Sequence, residues 1–271
     1  MKLSVFFDHI LQAQEQSGES LMTLLADVKK SGIDAVEIRL TYLLEHEETT
    51  ELLKKAGLVI SCIYEFYEMD SRDEKTLIEK HVKTAARFHA GRILVVPGFF
   101  TEKEAEEMMT RLSDYEQVSA YMENKPKALG MAKGLQEAVS LGEKEGVIVT
   151  VEDFDDGKSP LFCINGIRWF MERIPGLRYT FDMGNFIYSK EQAADALAAM
   201  QGRVAHVHCK DRGEHFSSVA AGDGTIPIAE LVGMLRESGY DDYLAIEHFD
   251  APNQAEKIKR SAEFLKKQLA V

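Results

Sequence analysis

A junction between an amphipathic segment and a short apolar run occurs seven times along the chain. In each case a segment with helical spacing of apolar residues ends near a glycine, and a run rich in β-branched residues follows. Glycine is favoured just past a helix end because it enters the left-handed backbone region without steric cost. The junction therefore predicts a helix followed by a strand. The glycines are Gly32, Gly57, Gly91, Gly146, Gly176, Gly202 and Gly239.

Eight predicted strands alternate with helices, because the opening run LSVFF adds one strand to the seven that follow the glycines. The runs are apolar without strict alternation, which is typical of parallel strands covered on both faces. Eight such units in about 250 residues predict a single α/β domain, a (β/α)8 TIM barrel spanning residues 1–271. A doubly wound open sheet is the alternative, but no GxGxxG motif follows the first strand. The stretch from Phe99 to Gly146 is long enough for an additional helix.

The composition limits the classes of partner. The formal net charge of −13 disfavours duplex DNA and anionic membranes, since both require a basic face. No apolar run reaches the roughly 20 residues of a membrane span, and Asp8 and His9 interrupt the apolar start too early for a signal peptide. The three cysteines are far apart, which indicates reduced thiols. We therefore expect a cytoplasmic protein with no nucleic-acid or membrane partner.

The last four predicted strands each end in a side chain that can bind a metal ion. In a TIM barrel the active site lies at the carboxyl ends of the strands. Three carboxylates gathered there would repel one another, and a divalent cation removes that conflict. Three oxygen ligands and one imidazole suit Mn²⁺, Mg²⁺, Co²⁺ or Fe²⁺, and Zn²⁺ is also compatible. A lone carboxylate at a strand end more often caps a helix or forms an ion pair, so the hypothesis depends on all four together. The candidate ligands are Glu152, Asp182, His208 and Glu247.

Two further groups of polar residues lie near predicted strand ends. His206 precedes His208 by two residues, so the two side chains are expected on the same face of one strand. His206 lies one layer deeper and is expected to orient a ligand through a hydrogen bond. Glu37 and Arg39, at the end of the second predicted strand, are candidates for binding substrate hydroxyls or a phosphate. The alternative for Glu37 and Arg39 is an ordinary ion pair with neighbouring residues.

The segments VEDF, DMGN, HCKD and IEHF, which carry the four candidate ligands, resemble the sugar phosphate isomerase/epimerase superfamily. This is the xylose isomerase-like TIM barrel group, which also contains the endonuclease IV branch. The segment GDGTIPI at 222–228 is similar to the family's region between strands 7 and 8. The resemblance implies that Glu152 and Glu247 both bind the metal and exchange protons with carbon. It also implies that Lys210, in the HxKD pattern, contacts the substrate or a ligand carboxylate.

The chemistry implied by the resemblance is proton transfer next to a ketone. A metal that chelates a ketose carbonyl and its neighbouring hydroxyl stabilises an enediolate and acidifies the adjacent C–H bond. Two carboxylates on opposite faces of that carbon can then isomerise or epimerise a small sugar or polyol-derived ketone. One alternative is a dehydratase of the inosose or dehydroshikimate type, and another is a non-catalytic sugar-binding barrel. Many such barrels associate, so a homo-oligomer is compatible with the sequence.

The sequence departs from the family's epimerases at two positions. Where they carry DxxH, this chain has Asn185, which can hydrogen-bond a substrate hydroxyl but cannot carry a proton. Where they carry an arginine six residues after the strand 7 histidine, this chain has Glu214, with Arg212 nearby. Both changes weaken assignment as a ketose 3-epimerase and leave the broader isomerase class. The endonuclease branch needs additional metal-binding histidines, and the segment SCIYEFYEM contains none.

Overall fold

The computed structural model describes residues 1–69 and 73–270. Nine strands lie within these residues. They are β1 (Lys2–Phe6), β2 (Ala35–Arg39), β3 (Val59–Phe66), β4 (Arg92–Val96), β5 (Ile148–Glu152), β6 (Arg178–Asp182), β7 (Val204–Arg212), β8 (Ser218–Val219) and β9 (Tyr243–Glu247).

The strands form one sheet in the order β6-β5-β4-β3-β2-β1-β9-β7-β8, and β6 also pairs with β7. Because of that additional pairing, the eight longer strands close into a parallel barrel, and the predicted (β/α)8 TIM barrel fold is confirmed. The register places Phe6 opposite Glu37 in the β1–β2 pair. In the β7–β9 pair it places Lys210 opposite Glu247.

By its internal contacts the chain divides into two compact units, and the expectation that residues 1–271 form one domain stays a prediction. The first unit comprises Met1–Ile63 and His206–Val271. Its core lies where α1 (Phe7–Ser17), α2 (Leu21–Lys30) and α13 (Gln254–Leu269) pack on one another and against β1 and β9. Side chains such as Leu25 and Leu265 are fully buried there, each contributing about 1.5–3 kcal/mol. The helices of this unit are α1 (Phe7–Ser17), α2 (Leu21–Lys30), α3 (Leu40–Glu45), α4 (Thr49–Ala56), α12 (Ile228–Glu237) and α13 (Gln254–Leu269).

The second unit comprises Tyr64–Ala205. Its longest helix, α8 (Pro126–Glu145), buries a face of alanine, leucine, methionine and valine side chains and packs against β5. Its helices are α5 (Lys75–Arg87), α6 (Glu102–Met109), α7 (Tyr115–Glu123), α8 (Pro126–Glu145), α9 (Ile164–Arg173), α10 (Phe186–Ser189) and α11 (Ala193–Ala199).

The glycine junctions fulfil the expected role at all positions but one. Six of the seven glycines have a positive φ, between 69° and 85°. Gly176 is the exception, and it is required for another reason. A Cβ atom at Gly176 would lie 2.6 Å from Val139 Cγ1 and 2.9 Å from Glu143 Oε1, both on α8. This glycine therefore allows close packing of the chain on a helix.

β1 ends at Phe6, and Asp8 and His9 lie in the first turn of α1. Two local features differ from the sequence-based expectation. The stretch from Phe99 to Gly146 contains three helices, α6, α7 and α8. β7 extends to Arg212 and pairs with β8 in an antiparallel hairpin. The paired residues of this hairpin have no strand periodicity in the sequence, so the sequence did not predict the hairpin. Hydrogen bonds between the two strands stabilise it instead.

Within the described residues, 1–69 and 73–270, no helix is both long enough and apolar enough to cross a membrane.

Candidate functional site

Three of the four candidate metal ligands end their strands, since Glu152, Asp182 and Glu247 are the last residues of β5, β6 and β9. His208 is the central residue of β7, so the expectation that it ends its strand was wrong. All four side chains are buried, with Glu152 the most accessible at 8%. Charged groups at such depth require partners because burial removes them from water.

In the first unit, one oxygen atom of Glu37 joins both histidines of β7. Its Oε2 lies 2.8 Å from His206 Nε2 and 3.1 Å from His208 Nε2. The two rings meet edge to face, with centroids 5.3 Å apart. Burial would raise the pKa of Glu37, but the charges and hydrogen bonds of His208 and His206 lower the pKa to about 2. Glu37 is therefore a buried anion that accepts from two imidazoles.

The second nitrogen of His208 faces another carboxylate. His208 Nδ1 lies 3.1 Å from Glu247 Oε2, and Glu247 Oε1 lies 2.5 Å from Lys210 Nζ. Burial would raise the pKa of Glu247, but the charge of Lys210 and the contact with His208 hold the pKa well below its usual range. A carboxylate oxygen and an imidazole nitrogen thus converge within the same unit.

The contact between His208 and Glu247 needs a proton or a metal ion between its two atoms. In its neutral form the His208 imidazole carries one proton, which Glu37 accepts at Nε2. His208 then presents a lone pair at Nδ1 to the Glu247 oxygen. Two lone pairs facing each other repel unless a metal ion or a proton lies between them. The residues of the first unit therefore fit a divalent metal, with Glu37 supporting the ligand His208.

The same unit contains a group of one carboxylate and two imidazoles that could itself hold a metal. One ligand atom from each of Glu37, His206 and His208 lies within 4.8 Å of the others. The Glu37 oxygen already accepts both imidazole protons, however. Glu37 Oε2 therefore supports both imidazoles, while Glu37 Oε1 is buried without a hydrogen-bond partner among the described residues.

The two predicted substrate residues of β2 differ in accessibility. Glu37 is fully buried, whereas Arg39 is exposed at the end of the strand. Arg39 directly precedes α3, at the same sheet edge as the other candidates. Lys210 is buried, at 6% exposure, with its charge directed at Glu247.

In the second unit, hydrogen bonds join the turn after β6 to Asp153, the residue that follows Glu152. Asp182 Oδ1 accepts from the backbone N–H groups of Gly184 at 2.7 Å and Asn185 at 3.0 Å. Asp153 Oδ1 accepts from the Asp182 N–H at 3.0 Å. The Asn185 side-chain amide donates to the Asp153 carbonyl at 2.8 Å. These bonds fix the orientation of the Asp182 carboxylate.

Asp153 was not predicted as part of the site. Burial, followed by the nearby charge of Asp182, raises the pKa of Asp153 well above its usual value. The buried Tyr179 hydroxyl donates a hydrogen bond to the same Asp153 oxygen. The signal that could have identified Asp153 is its position in VEDF, directly after Glu152 at the end of an apolar run.

A second pair of buried histidines lies beside Glu247. The rings of His9 and His248 stack with centroids 4.7 Å apart, and the His248 backbone N–H donates to His9 Nε2 at 2.9 Å. Burial lowers the pKa of His248 to about 4, so this side chain is neutral at neutral pH. Phe6 packs edge-on against the His208 ring at 4.9 Å. This contact restricts the rotation of His208.

Comparison with known proteins agrees with this architecture. Residues 25–268 match the family model described as xylose isomerase-like TIM barrel. No sequence among curated proteins matches the chain.

Several solved structures share the fold at low sequence identity. A probable 3-DHS dehydratase from Bacillus anthracis is 16% identical with a TM-score of 0.74, covering 98% of this chain and 99% of its own. A D-allulose 3-epimerase from Methylomonas sp., also solved in complex with D-allulose, is 13% identical with a TM-score of 0.73, covering 99% of this chain and 97% of its own. A 3-keto-D-glucoside 4-epimerase from E. coli is 18% identical with a TM-score of 0.72, covering 98% of this chain and 99% of its own. At these identities the likeness establishes the fold.

Proposed function

We propose that this chain, which belongs to the xylose isomerase-like TIM barrel family, is a divalent-metal-dependent sugar isomerase or epimerase. It would move a proton at the carbon next to the carbonyl of a small sugar or polyol-derived ketone. The observation that carries the proposal is the arrangement of His208, which meets Glu37 through Nε2 and Glu247 through Nδ1. Sugar epimerases that share the fold, one of them solved in complex with D-allulose, support a small-sugar substrate.

The proposed metal ligands are Glu152, Asp182, His208 and Glu247. They supply three carboxylates and one imidazole, a set that suits Mn²⁺, Mg²⁺, Co²⁺ or Zn²⁺. When bound, such an ion would polarise the substrate carbonyl and acidify the neighbouring C–H bond. The support for the set is that all four side chains are buried on strands of one closed parallel sheet. Three of them are the last residues of their strands, at the edge where such barrels carry their active sites.

The proposed roles of the supporting residues follow from their hydrogen bonds. Glu37 keeps the His208 proton on Nε2, which leaves Nδ1 available as a ligand. His206 holds Glu37 from the other side. Asn185 donates to the Asp153 carbonyl, and this bond fits a role in fixing the Asp182 turn. Arg39, exposed at the same sheet edge, is the proposed contact for substrate hydroxyls.

The proposed acid–base pair is Glu152 and Glu247. Lys210 holds Glu247 as an anion, and an anionic carboxylate can accept a proton from carbon. If the second carboxyl lies on the other face of that carbon, return of a proton from that face inverts the centre. Transfer between adjacent carbons would instead convert a ketose into an aldose.

The test is proton exchange with solvent. Wild-type protein with Mn²⁺ is incubated with a panel of ketoses in deuterated water, and deuterium at carbon is followed by NMR. Glu152→Gln and Glu247→Gln are each expected to lower the exchange rate by about 10²–10⁴-fold, since each removes one proton acceptor. Glu51→Gln, on the exposed side of α4, serves as the matched control.

The outcomes separate the alternative functions. Full exchange activity in Glu152→Gln would contradict the mechanism. Loss of water with a new carbonyl-conjugated chromophore would identify a dehydratase. Binding without exchange or water loss would identify a non-catalytic sugar-binding barrel.

A further inference from the structure

Three phenylalanine rings gather at the carboxyl ends of neighbouring strands in the second unit. Phe66 is the last residue of β3, Phe99 follows β4, and Phe154 follows Glu152 by two residues. The ring centroids of Phe66 and Phe154 are 6.1 Å apart, and those of Phe99 and Phe154 are 5.4 Å apart. Both pairs meet edge to face, a favoured geometry for aromatic rings. We call these three residues the aromatic platform.

The aromatic platform remains partly accessible to solvent. Phe66 is 40% exposed, and Phe99 and Phe154 are half-buried. The neighbouring Phe100, in contrast, is a buried core residue. It is only 3% exposed, and its ring centroid lies 6.2 Å from that of Tyr121. Exposed apolar patches beside a strand-end site commonly mark ligand-binding surfaces.

Hydrogen bonds hold the loops that carry the aromatic platform. The Phe100 N–H donates to the Lys158 carbonyl at 2.9 Å, which joins the loop after β4 to the loop after β5. The Phe154 N–H donates to the Leu161 carbonyl at 3.4 Å. Lys127 Nζ donates to the Phe99 carbonyl at 3.2 Å. A surface fixed before binding loses less entropy when a ligand arrives.

The charges around the aromatic platform disfavour an anionic ligand. Acidic side chains flank the rings at the same strand ends, and Lys158 is directed to Asp156, 3.9 Å away. A phosphate would be repelled by these carboxylates, whereas a neutral sugar would not. Phenylalanine has no polar atom, so its ring contributes apolar contact to a ligand. The flanking acidic residues are Glu65, Asp155 and Asp156.

We propose that the aromatic platform binds the apolar face of a sugar ring. The substrate class is then an uncharged, ring-form sugar derivative that bears a ketone, rather than a sugar phosphate or an open-chain ketose. This inference rests on the proposed function, because the bound ring must present its ketone to the acid–base pair. Contact with the ring supplies binding energy remote from the reacting carbon.

The test measures binding without turnover, in the Glu152→Gln background with Mn²⁺ present. Calorimetric titration uses methyl β-D-glucopyranoside as the ring probe, D-sorbitol as the open-chain probe and glucose 6-phosphate as the anionic probe. Phe66→Ala and Phe154→Ala are expected to weaken pyranoside binding about tenfold and to leave sorbitol binding unchanged. Phe66→Leu keeps apolar area without the ring. Its affinity for the pyranoside is expected to lie between that of Phe66→Ala and that of the protein with an intact aromatic platform. Circular dichroism of each variant establishes that the barrel is folded.

The matched control is Ile148→Ala, which removes an equally exposed apolar side chain at the opposite end of β5. Ile148 is 41% exposed, close to the 40% of Phe66. It is expected to leave pyranoside binding unchanged.

Two results would overturn the inference. One is pyranoside binding that is equal in all these proteins or no tighter than sorbitol binding. The other is tighter binding of glucose 6-phosphate. Ring-dependent binding, together with no solvent-deuterium exchange by the wild-type protein, would instead overturn the proposed function and leave the aromatic platform as a sugar-binding surface.

Discussion

At the scale of single residues, the proposed site depends on the Glu37 carboxylate, which orients the proposed ligand His208. A buried anion costs several kcal/mol unless hydrogen bonds and opposite charges surround it. Here two imidazoles share a single Glu37 oxygen, at 2.8 Å and 3.1 Å. The same bonds orient the His208 ring. One residue therefore determines both the tautomer and the direction of a proposed ligand.

We expect Glu37→Gln to lower Mn²⁺ affinity by about ten- to hundredfold, because the neutral amide no longer fixes the His208 proton on Nε2. His206→Gln should reduce affinity less than His208→Gln, since His206 acts through Glu37. Isothermal titration of each variant measures these affinities, with Glu51→Gln as the exposed control. Equal affinity in Glu37→Gln and wild type would show that Glu37 has no positioning role.

At the scale of elements, the loop between β7 and α12 is organised by one buried carboxylate. Asp211 Oδ1 accepts from the N–H groups of Arg212 at 2.9 Å and Ile226 at 3.1 Å. Asp211 Oδ2 accepts from Gly222 at 2.9 Å and Gly224 at 3.0 Å. A Cβ atom at Gly224 would lie 2.2 Å from Asp211 Oδ1 and 2.5 Å from the Arg212 carbonyl. Glycine is required here because the backbone passes so close to the carboxylate.

We expect Gly224→Ala to lower the free energy of unfolding by about 1–3 kcal/mol, because the methyl group must displace the Asp211 carboxylate or the backbone. Gly233→Ala is the matched control, since apart from the neighbouring backbone of α12 no atom of the described residues lies within 4 Å of its Cβ position. Alanine there should raise stability by up to about 1 kcal/mol through helix propensity. Urea denaturation measures both changes. A Gly224→Ala protein as stable as wild type would refute the steric argument.

At the scale of the whole molecule, a net charge of −13 sets the background for metal binding. Such a chain attracts divalent cations to many exposed carboxylates, so metal uptake alone does not identify a specific site. A specific site binds the folded state and stabilises it in proportion to the logarithm of metal concentration.

We expect Mn²⁺ at one hundred times its dissociation constant to stabilise the fold by about 2.7 kcal/mol. For a chain of this size that corresponds to a rise in Tm of several degrees. Thermal unfolding followed by circular dichroism measures the shift, and a chelator should reverse it. His208→Gln is the control, and it should remove most of the shift. An equal shift in His208→Gln would mean that Mn²⁺ stabilises through exposed carboxylates instead.

The sequence by itself determined the features that follow from local periodicity. Glycines after amphipathic segments located most of the helix-to-strand junctions, because the left-handed backbone region admits glycine without cost. Apolar runs located Glu152, Asp182 and Glu247 at the last position of their strands. The period of two in a strand placed His206 and His208 on one face, and both reach the same Glu37 oxygen.

Only the tertiary structure decided which distant residues meet. Glu37 and His206 are separated by 169 positions, and no local rule couples them. The need for Gly176 arises from its approach to α8, and the aromatic platform arises from three strand ends brought side by side. Periodicity determines the face on which a side chain lies. The partner on that face is set by close packing and by the requirement that buried polar groups be hydrogen-bonded.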